Sequence, residues 1–399
     1  MRGVVKGFQF SAITAGIKAG GRPDLALICS EVPAIVVGAF TTNQVQAAPV
    51  TVSKRNIRSG RCSAIIINSG NANACTGARG LQDAEWMVKE TSDRLHLPRQ
   101  HVLVCSTGKI GEWIPRKSLH RGIPRLVKGL SPQGASSVAR AILTTDRGPK
   151  ISFFEGKIGK KKFHLLGIAK GAGMIFPRMK REATMLAFLM TDLRIGRPLL
   201  KSIFDRVLDQ TFHCITVDGD TSTNDTVLLI ANGMAAAPLA VRSGSKEALL
   251  FEKGLHQVMQ ELALKVVQDG EGATKRVQID VLGARSWREA QRVAETIAHS
   301  PLVKTSFFGE DPNWGRILAA VGRSKVRIDP DVVDIYYNNV CLVKRGLRRS
   351  VGAERRAHHV MKKNDFRVTI ALHQGNARFS LWTSDLGTNY VKLNATYRT

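Results

Sequence analysis

Short apolar runs, separated by clusters of Gly, Asn, Thr and Ser, set the pattern of this chain. Residues 63–68 (SAIIIN) and 101–105 (HVLVC) are nearly continuous apolar runs that end in small-residue loops. Such runs predict strands buried on both faces. Residues 226–231 (TVLLIA) form another, stopped by Asn232-Gly233. Residues 278–282 (QIDVL) and 366–372 (FRVTIAL) alternate more clearly, as strands with one wet face do. Between them lie helical patterns. Residues 245–268 carry apolar side chains at 248, 251, 255, 258, 259, 262, 266 and 267, one face of a helix, with Ser245 placed to cap it. Residues 286–299 open with Ser286-x-x-Glu289, a capping box. Strands and helices interleave irregularly, which predicts a mixed α/β chain rather than a regular βαβ repeat.

The chain has 399 residues, of which 43% are hydrophobic, so it can bury a sizeable core and is not read as disordered. It contains no apolar stretch long enough to span a membrane. The N-terminus lacks the apolar core of a signal peptide, so a cytoplasmic location is the default expectation. Six cysteines stand at 29, 62, 75, 105, 214 and 341 without a CxxC pair, and are read as free, buried thiols. The formal net charge of +27 is unusual. It speaks to anionic partners and solubility, not to fold. The basic residues are spread widely, and no zinc-finger, basic-zipper or RNA-binding signature accompanies them. Solvated basic faces are the first reading. Polyanion binding and steering of small anionic substrates stay open behind it.

Residues 169–188 stand apart: glycines, then Pro177, then a basic tract, then Thr184 opening an apolar run. A threonine hydroxyl needs a nearby base to become a nucleophile. Its own α-amino group serves if the chain is cut just before it, because that amine titrates near neutrality. On the pattern alone, an ordinary loop leading into a buried element is the first reading. Ser106-Thr107-Gly108 could supply a hydroxyl and a backbone N–H to a developing oxyanion, or be a plain strand-to-turn junction. Residues 68–74 (NSGNANA) read as turn chemistry first and as a polar pocket wall second. Residues 219–225 (GDTSTND) lack the oxygen spacing of a calcium loop, so no metal is expected. Gly270-Glu271-Gly272 stops the preceding helix and holds one carboxylate in a tight turn.

Taken together and in order, these segments resemble the ornithine acetyltransferase (glutamate N-acetyltransferase) family. The matches run from residues 21–27 (GRPDLAL) and 40–43 (FTTN) through 47–50 (AAPV), 68–74 and 106–108. They continue with Thr144-Thr145-Asp146, 170–188, and 218–225 (DGDTSTND). The last are 269–275 (DGEGATK), 311–316 (DPNWGR) and 394–399 (NATYRT). The resemblance implies a layered αββα-type sandwich, superficially like the N-terminal-nucleophile hydrolases. It implies a precursor that cuts itself between Ala183 and Thr184 into pieces 1–183 and 184–399, assembled as a heterotetramer of two of each. Freed Thr184 would take acetyl from N-acetylornithine and pass it to glutamate. Thr107 and Gly108 fall on the family's oxyanion hole. Thr144, Lys170, Thr184, Glu271, Asn394 and Thr399 fall on its substrate-contacting positions. No cofactor is implied, although some members also use acetyl-CoA as a donor. Nucleic acid and membrane partners are not expected.

The residue chemistry agrees with those roles. Lys170 suits the α-carboxylate that both substrates carry, and Glu271 suits the ammonium of ornithine. Two other classes remain as rivals: an amidohydrolase or aminopeptidase with the same threonine chemistry, and a basic polyanion-binding protein on an inactivated scaffold. One departure from the family pattern is Lys180-Arg181-Glu182, three extra residues before Ala183. Because Ala183-Thr184-Met185-Leu186 is intact, cleavage is expected to survive. The purified protein should therefore run on a denaturing gel as two pieces. A single band near 43.6 kDa would defeat that expectation.

Overall fold

A computed structural model describes residues 4–177, 185–235 and 244–396. The chain divides into two compact units, one of residues 1–213 and 220–266, the other of 214–219 and 267–397. The elements anticipated from the sequence are present. The apolar runs lie in the strands Arg61–Asn71, Val102–Lys109 and Thr226–Ala231, and the helical patterns in Lys246–Gln268 and Trp287–Ala298. Ser245 and Ser286 cap those helices by accepting from the N–H groups of Ala248 and Glu289, both at 3.2 Å. Glu289 reaches back to the N–H of Arg285 rather than that of Ser286, a looser version of the anticipated box.

The first unit is built on an eight-stranded mixed sheet. Its long strand Leu25–Phe40 pairs with Arg61–Asn71 along its first part and with Thr226–Ala231 along its last. The register shifts between Cys29 and Ala34. An extra-residue irregularity of this kind bends a strand and lets it pass from one sheet layer to another. Both halves turn the same core inward. Ile65, Ile67, Leu103 and Cys105 from one half cluster with Val36, Ile168, Phe188 and Leu228 from the other. The alternate residues Ile66, Val102 and Val104 face helices Ala48–Asn56, Gly77–Leu95 and Arg116–Lys128. Outside the second half, Gly167 lies against Val258 and Leu262 of the Lys246–Gln268 helix, where a β-carbon would come within 2.6 Å of both. Helix, half-sheet, half-sheet and helix give the layered αββα arrangement that the sequence led us to expect.

The second unit holds a seven-stranded sheet. Val277, Ile279 and Val281 point into its core with Phe366, Val368 and Ile370. Gln278 and Asp280 lie between them on the other face and hydrogen-bond to each other. That is the alternation anticipated for this pair of strands, which run parallel in register. Helices Trp287–Ala298 and Val351–Met361 cover the apolar face through Ala290, Val293, Ile297, Ala353, Ala357 and Met361. Four cysteines are buried as expected, but Cys75 is exposed and Cys341 half-buried. Cys75 follows the polar turn of residues 71–74, outside any strand or helix, with its backbone at φ +57°.

Phe188 is fully buried at the centre of the first unit's core. Phe188→Ala should destabilise the protein by about 3–5 kcal/mol. Chemical denaturation measures this, and a loss under about 1 kcal/mol would contradict the shared core.

Candidate active site

The bend in the long strand brings together residues far apart in the chain. Strands Arg61–Asn71 and Val102–Lys109 run parallel and place Ser69 beside Thr107 and Gly70 beside Gly108. Gly108 has φ +133°, and a β-carbon on it would fall 2.3 Å from the Gly70 carbonyl carbon. Only glycine fits this approach. The polar turns tie to one another here. Ser106 donates to Asn68 at 2.5 Å, while Asn224 donates to the carbonyls of Ala72 and Ser106 at 2.6 and 2.9 Å. Asn43 donates to the carbonyl of Thr221 at 2.9 Å. The polar segments singled out in the sequence thus form one hydrogen-bonded wall.

Lys170 ends the strand Lys161–Lys170. Its ammonium donates to Thr144 Oγ1 at 2.8 Å and to Thr107 Oγ1 at 3.2 Å. Three sequence-anticipated residues therefore meet at one point, with Gly108 next in chain. Lys170 pairs across the sheet with Leu186, which also pairs with Thr226. Met185 is the first residue described after the expected nucleophile; it is buried and accepts from the N–H of Thr226 at 2.8 Å. Ala183, Thr184, the preceding Lys180-Arg181-Glu182 and Thr399 lie outside the described residues.

Asp146 organises this cluster. Its side chain is fully buried. One oxygen accepts from Lys150 at 2.7 Å and from the N–H of Gly171 at 2.7 Å. The other accepts from the N–H of Thr144 at 3.0 Å and lies 3.8 Å from the Lys170 ammonium. Burial alone would raise the Asp146 pKa, but Lys170 and Lys150, with the hydrogen bonds from Lys150 and Thr144, hold it well below the usual carboxylate range. Sequence reasoning placed Asp146 in a matched segment without giving it a role. Thr144 and Lys150 are its near neighbours in the chain, but Lys170 and Gly171 lie more than twenty residues on, and only the fold brings the two sets onto one carboxylate.

A second pair forms within the other unit. Asn394, on helix Thr388–Thr396, donates to Glu271 Oε2 at 2.9 Å and to the Tyr390 carbonyl at 3.1 Å. Gly272, at φ +69°, admits this helix: a β-carbon there would lie 2.3 Å from the Tyr390 nitrogen. The Glu271 and Asn394 positions are thus joined. The C-terminal segment through Thr396 is a helix rather than a loose tail.

The family model of the ArgJ family matches residues 9–399. The chain belongs to the ArgJ family. A relative from Geobacter sulfurreducens, named arginine biosynthesis bifunctional protein ArgJ, is 48% identical over 395 residues, covering 99% of this chain and 100% of the relative. One of the same name from Bacillus anthracis is 42% identical over 396 residues, 99% of this chain and 96% of the relative. A solved ornithine acetyltransferase chain from Mycobacterium tuberculosis, crystallised with ornithine, is 36% identical and covers 45% of this chain and 97% of that chain, with a TM-score of 0.40. ArgJ membership bears out the resemblance read from the sequence, and with it the expectation of an enzyme. Among the described residues no helix is long and apolar enough to cross a membrane.

The depressed pKa of Asp146 has a definite sign. Its contribution to stability is full above the ordinary carboxylate range, about pH 4, and is lost as pH falls below it. Asp146→Asn leaves Lys150 and Lys170 without their neutralising charge. It should cost about 3–5 kcal/mol at neutral pH, with the deficit shrinking in acid. Urea denaturation at pH 7 and at low pH checks this; an equal deficit at both would refute it.

Proposed function

We propose that this chain moves acetyl from N2-acetyl-L-ornithine to L-glutamate through an acetyl-Thr184 intermediate, in arginine biosynthesis. The observation that carries the reading is the convergence of Lys170 on Thr107 and Thr144, beside the strand that begins just after Thr184. The Thr107 oxygen accepts from Lys170, so its own proton is free for an oxyanion. The Lys170 charge also polarises that hydroxyl and strengthens it as a donor. Gly108, packed against the Gly70 backbone, would offer its N–H beside that hydroxyl.

Each step balances. The Thr184 oxygen attacks the acetyl carbonyl carbon, and its proton passes to the freed α-amine. The carbonyl oxygen gains negative charge, met by Thr107 and Gly108. Collapse breaks the amide C–N bond, and the departing ornithine nitrogen takes the proton. The glutamate α-amine then attacks the acetyl ester, and the Thr184 oxygen leaves with its proton restored. Lys170 holds the substrate α-carboxylate, with Thr144 positioning it. Glu271 and Asn394 receive the ornithine ammonium, with Thr399 completing the substrate contacts.

Sheet topology favours a cut that leaves the protein whole. Strand Leu186–Thr191 lies between Lys161–Lys170 of the first piece and Thr226–Ala231 of its own. Thr226–Ala231 in turn pairs with Leu25–Phe40 of the first piece. Pieces 1–183 and 184–399 would stay interleaved in one sheet, which supports one such pair holding together after the cut; the heterotetramer of two pairs rests on the family resemblance alone. The relatives' designation as bifunctional favours acetyl-CoA as a second acetyl donor. No resident cofactor takes part.

Mass spectrometry of the protein after incubation with acetylornithine tests the proposal. A fragment beginning at Thr184 and heavier by one acetyl group is expected. Thr184→Ala should lose both the cut and the adduct, and survival of either would sink Thr184 as nucleophile. Ornithine release independent of glutamate would favour an amidohydrolase instead.

A further inference from the structure

The acyl-transfer cluster carries a cation that the mechanism above does not use. Lys18 lies in the loop after strand Phe8–Ile13. Asp24, fully buried, accepts from the N–H groups of Ala15, Gly16, Ile17 and Lys18 and fixes that loop. The Lys18 side chain then runs across Gly70, where a β-carbon would come within 2.8 Å of Lys18 Cγ. Gly70 is the residue paired with Gly108. The ammonium donates to the carbonyls of Pro23 at 3.0 Å and Ala141 at 2.9 Å, two acceptors for its three N–H bonds. Ala141 ends the helix whose following loop carries Thr144 and Asp146.

The acids here are already committed. Asp24 is taken up by four backbone donors, and Asp146 by Lys150, Lys170 and two backbone donors. Positive charge is left over beside the oxyanion corner. Burial lowers the Lys18 pKa to about 8, with Asp24 and Asp146 opposing the fall and Arg22 and Lys170 adding to it. The Lys170 charge disfavours the charged form of Lys18, a repulsion that a bound anion would relieve. If Lys170 takes the α-carboxylate, the acceptor still has a second carboxylate to place, which acetylornithine lacks.

We propose that Lys18 is a second anion-recognising cation of this site and determines specificity by binding the side-chain carboxylate of the glutamate acceptor; the proposal rests on the acetyltransferase reading above. Glutamine, the same shape without that charge, is the natural probe. The two halves of the reaction separate the roles. Acetylation of Thr184 by acetylornithine does not involve the acceptor, whereas discharge to glutamate or glutamine does.

In the cleaved wild-type protein, kcat/KM should favour glutamate over glutamine. Lys18→Met should cut that preference by about tenfold or more while leaving Thr184 acetylation within about threefold, and Lys18→Arg should restore most of it. An unchanged preference, or an equal fall for both acceptors and for acetylation, would overturn the proposal in favour of a merely structural lysine. If Lys18→Met does not fold or cleave, the wild type decides. Its glutamate preference should decline as pH rises through about 8, where Lys18 loses its proton; a flat preference would overturn it. A wild type that transfers acetyl to neither acceptor would instead bring down the acetyltransferase reading, and this inference with it.

Discussion

The site depends on one buried carboxylate. Asp146 cannot stay ionised in a dry interior without compensation, since burial penalises its charge heavily. It is kept ionised by Lys150, by Lys170 and by the N–H groups of Thr144 and Gly171. Those partners lie on a loop, the start of one strand and the end of another. Satisfying Asp146 therefore fixes all three segments relative to one another. Lys170 is held there with its ammonium turned to Thr107 and Thr144, so the charge that costs stability to bury also aims the cation.

That arrangement needs the bend in Leu25–Phe40. In a flat sheet, Thr107 and Lys170 would sit near opposite ends of this strand, because one half-sheet pairs with its start and the other with its end. The register shift between Cys29 and Ala34 folds the sheet over a common core and closes the distance. Within the first half, the glycines at 70 and 108 let the two neighbouring strand ends meet backbone to backbone beside Thr107. Core packing, strand irregularity and glycine placement act together. None of them alone would bring a hydroxyl of one strand end to an ammonium of another.

Much of this was legible from the chain and some was not, for a physical reason. The strand cores at residues 63–68 and 226–231, and the helices with their Ser245 and Ser286 caps, follow from local periodicity and local hydrogen bonds. The bend does not, because residues 29–34 have no signal as strong as the apolar runs beside them. The roles of Asp146, Lys150 and Lys18 do not either. A carboxylate's partners are chosen by the fold, and Lys170 lies 63 residues from Thr107. Thr184 is a different case. Its own neighbourhood reads as a loop before a buried strand, and the expectation of a role for it rests on the ordered family matches on both sides.

The excess positive charge can be assigned by place. The buried cluster is nearly balanced, since Asp146 and Asp24 answer most of its lysines. The densest basic stretch instead lies in the other unit. There Arg345, Arg349, Arg355, Arg356, Lys362 and Lys363 are all exposed, while Ala353, Ala357 and Met361 of helix Val351–Met361 face the core. Exposed charges are screened within about 8 Å at physiological ionic strength. They keep the surface solvated and raise the general attraction for anions, but they cannot discriminate one carboxylate from another. Discrimination needs cations that are few, partly desolvated and held in place. Lys170 and Lys18 meet those conditions, and the net charge of +27 does not bear on them.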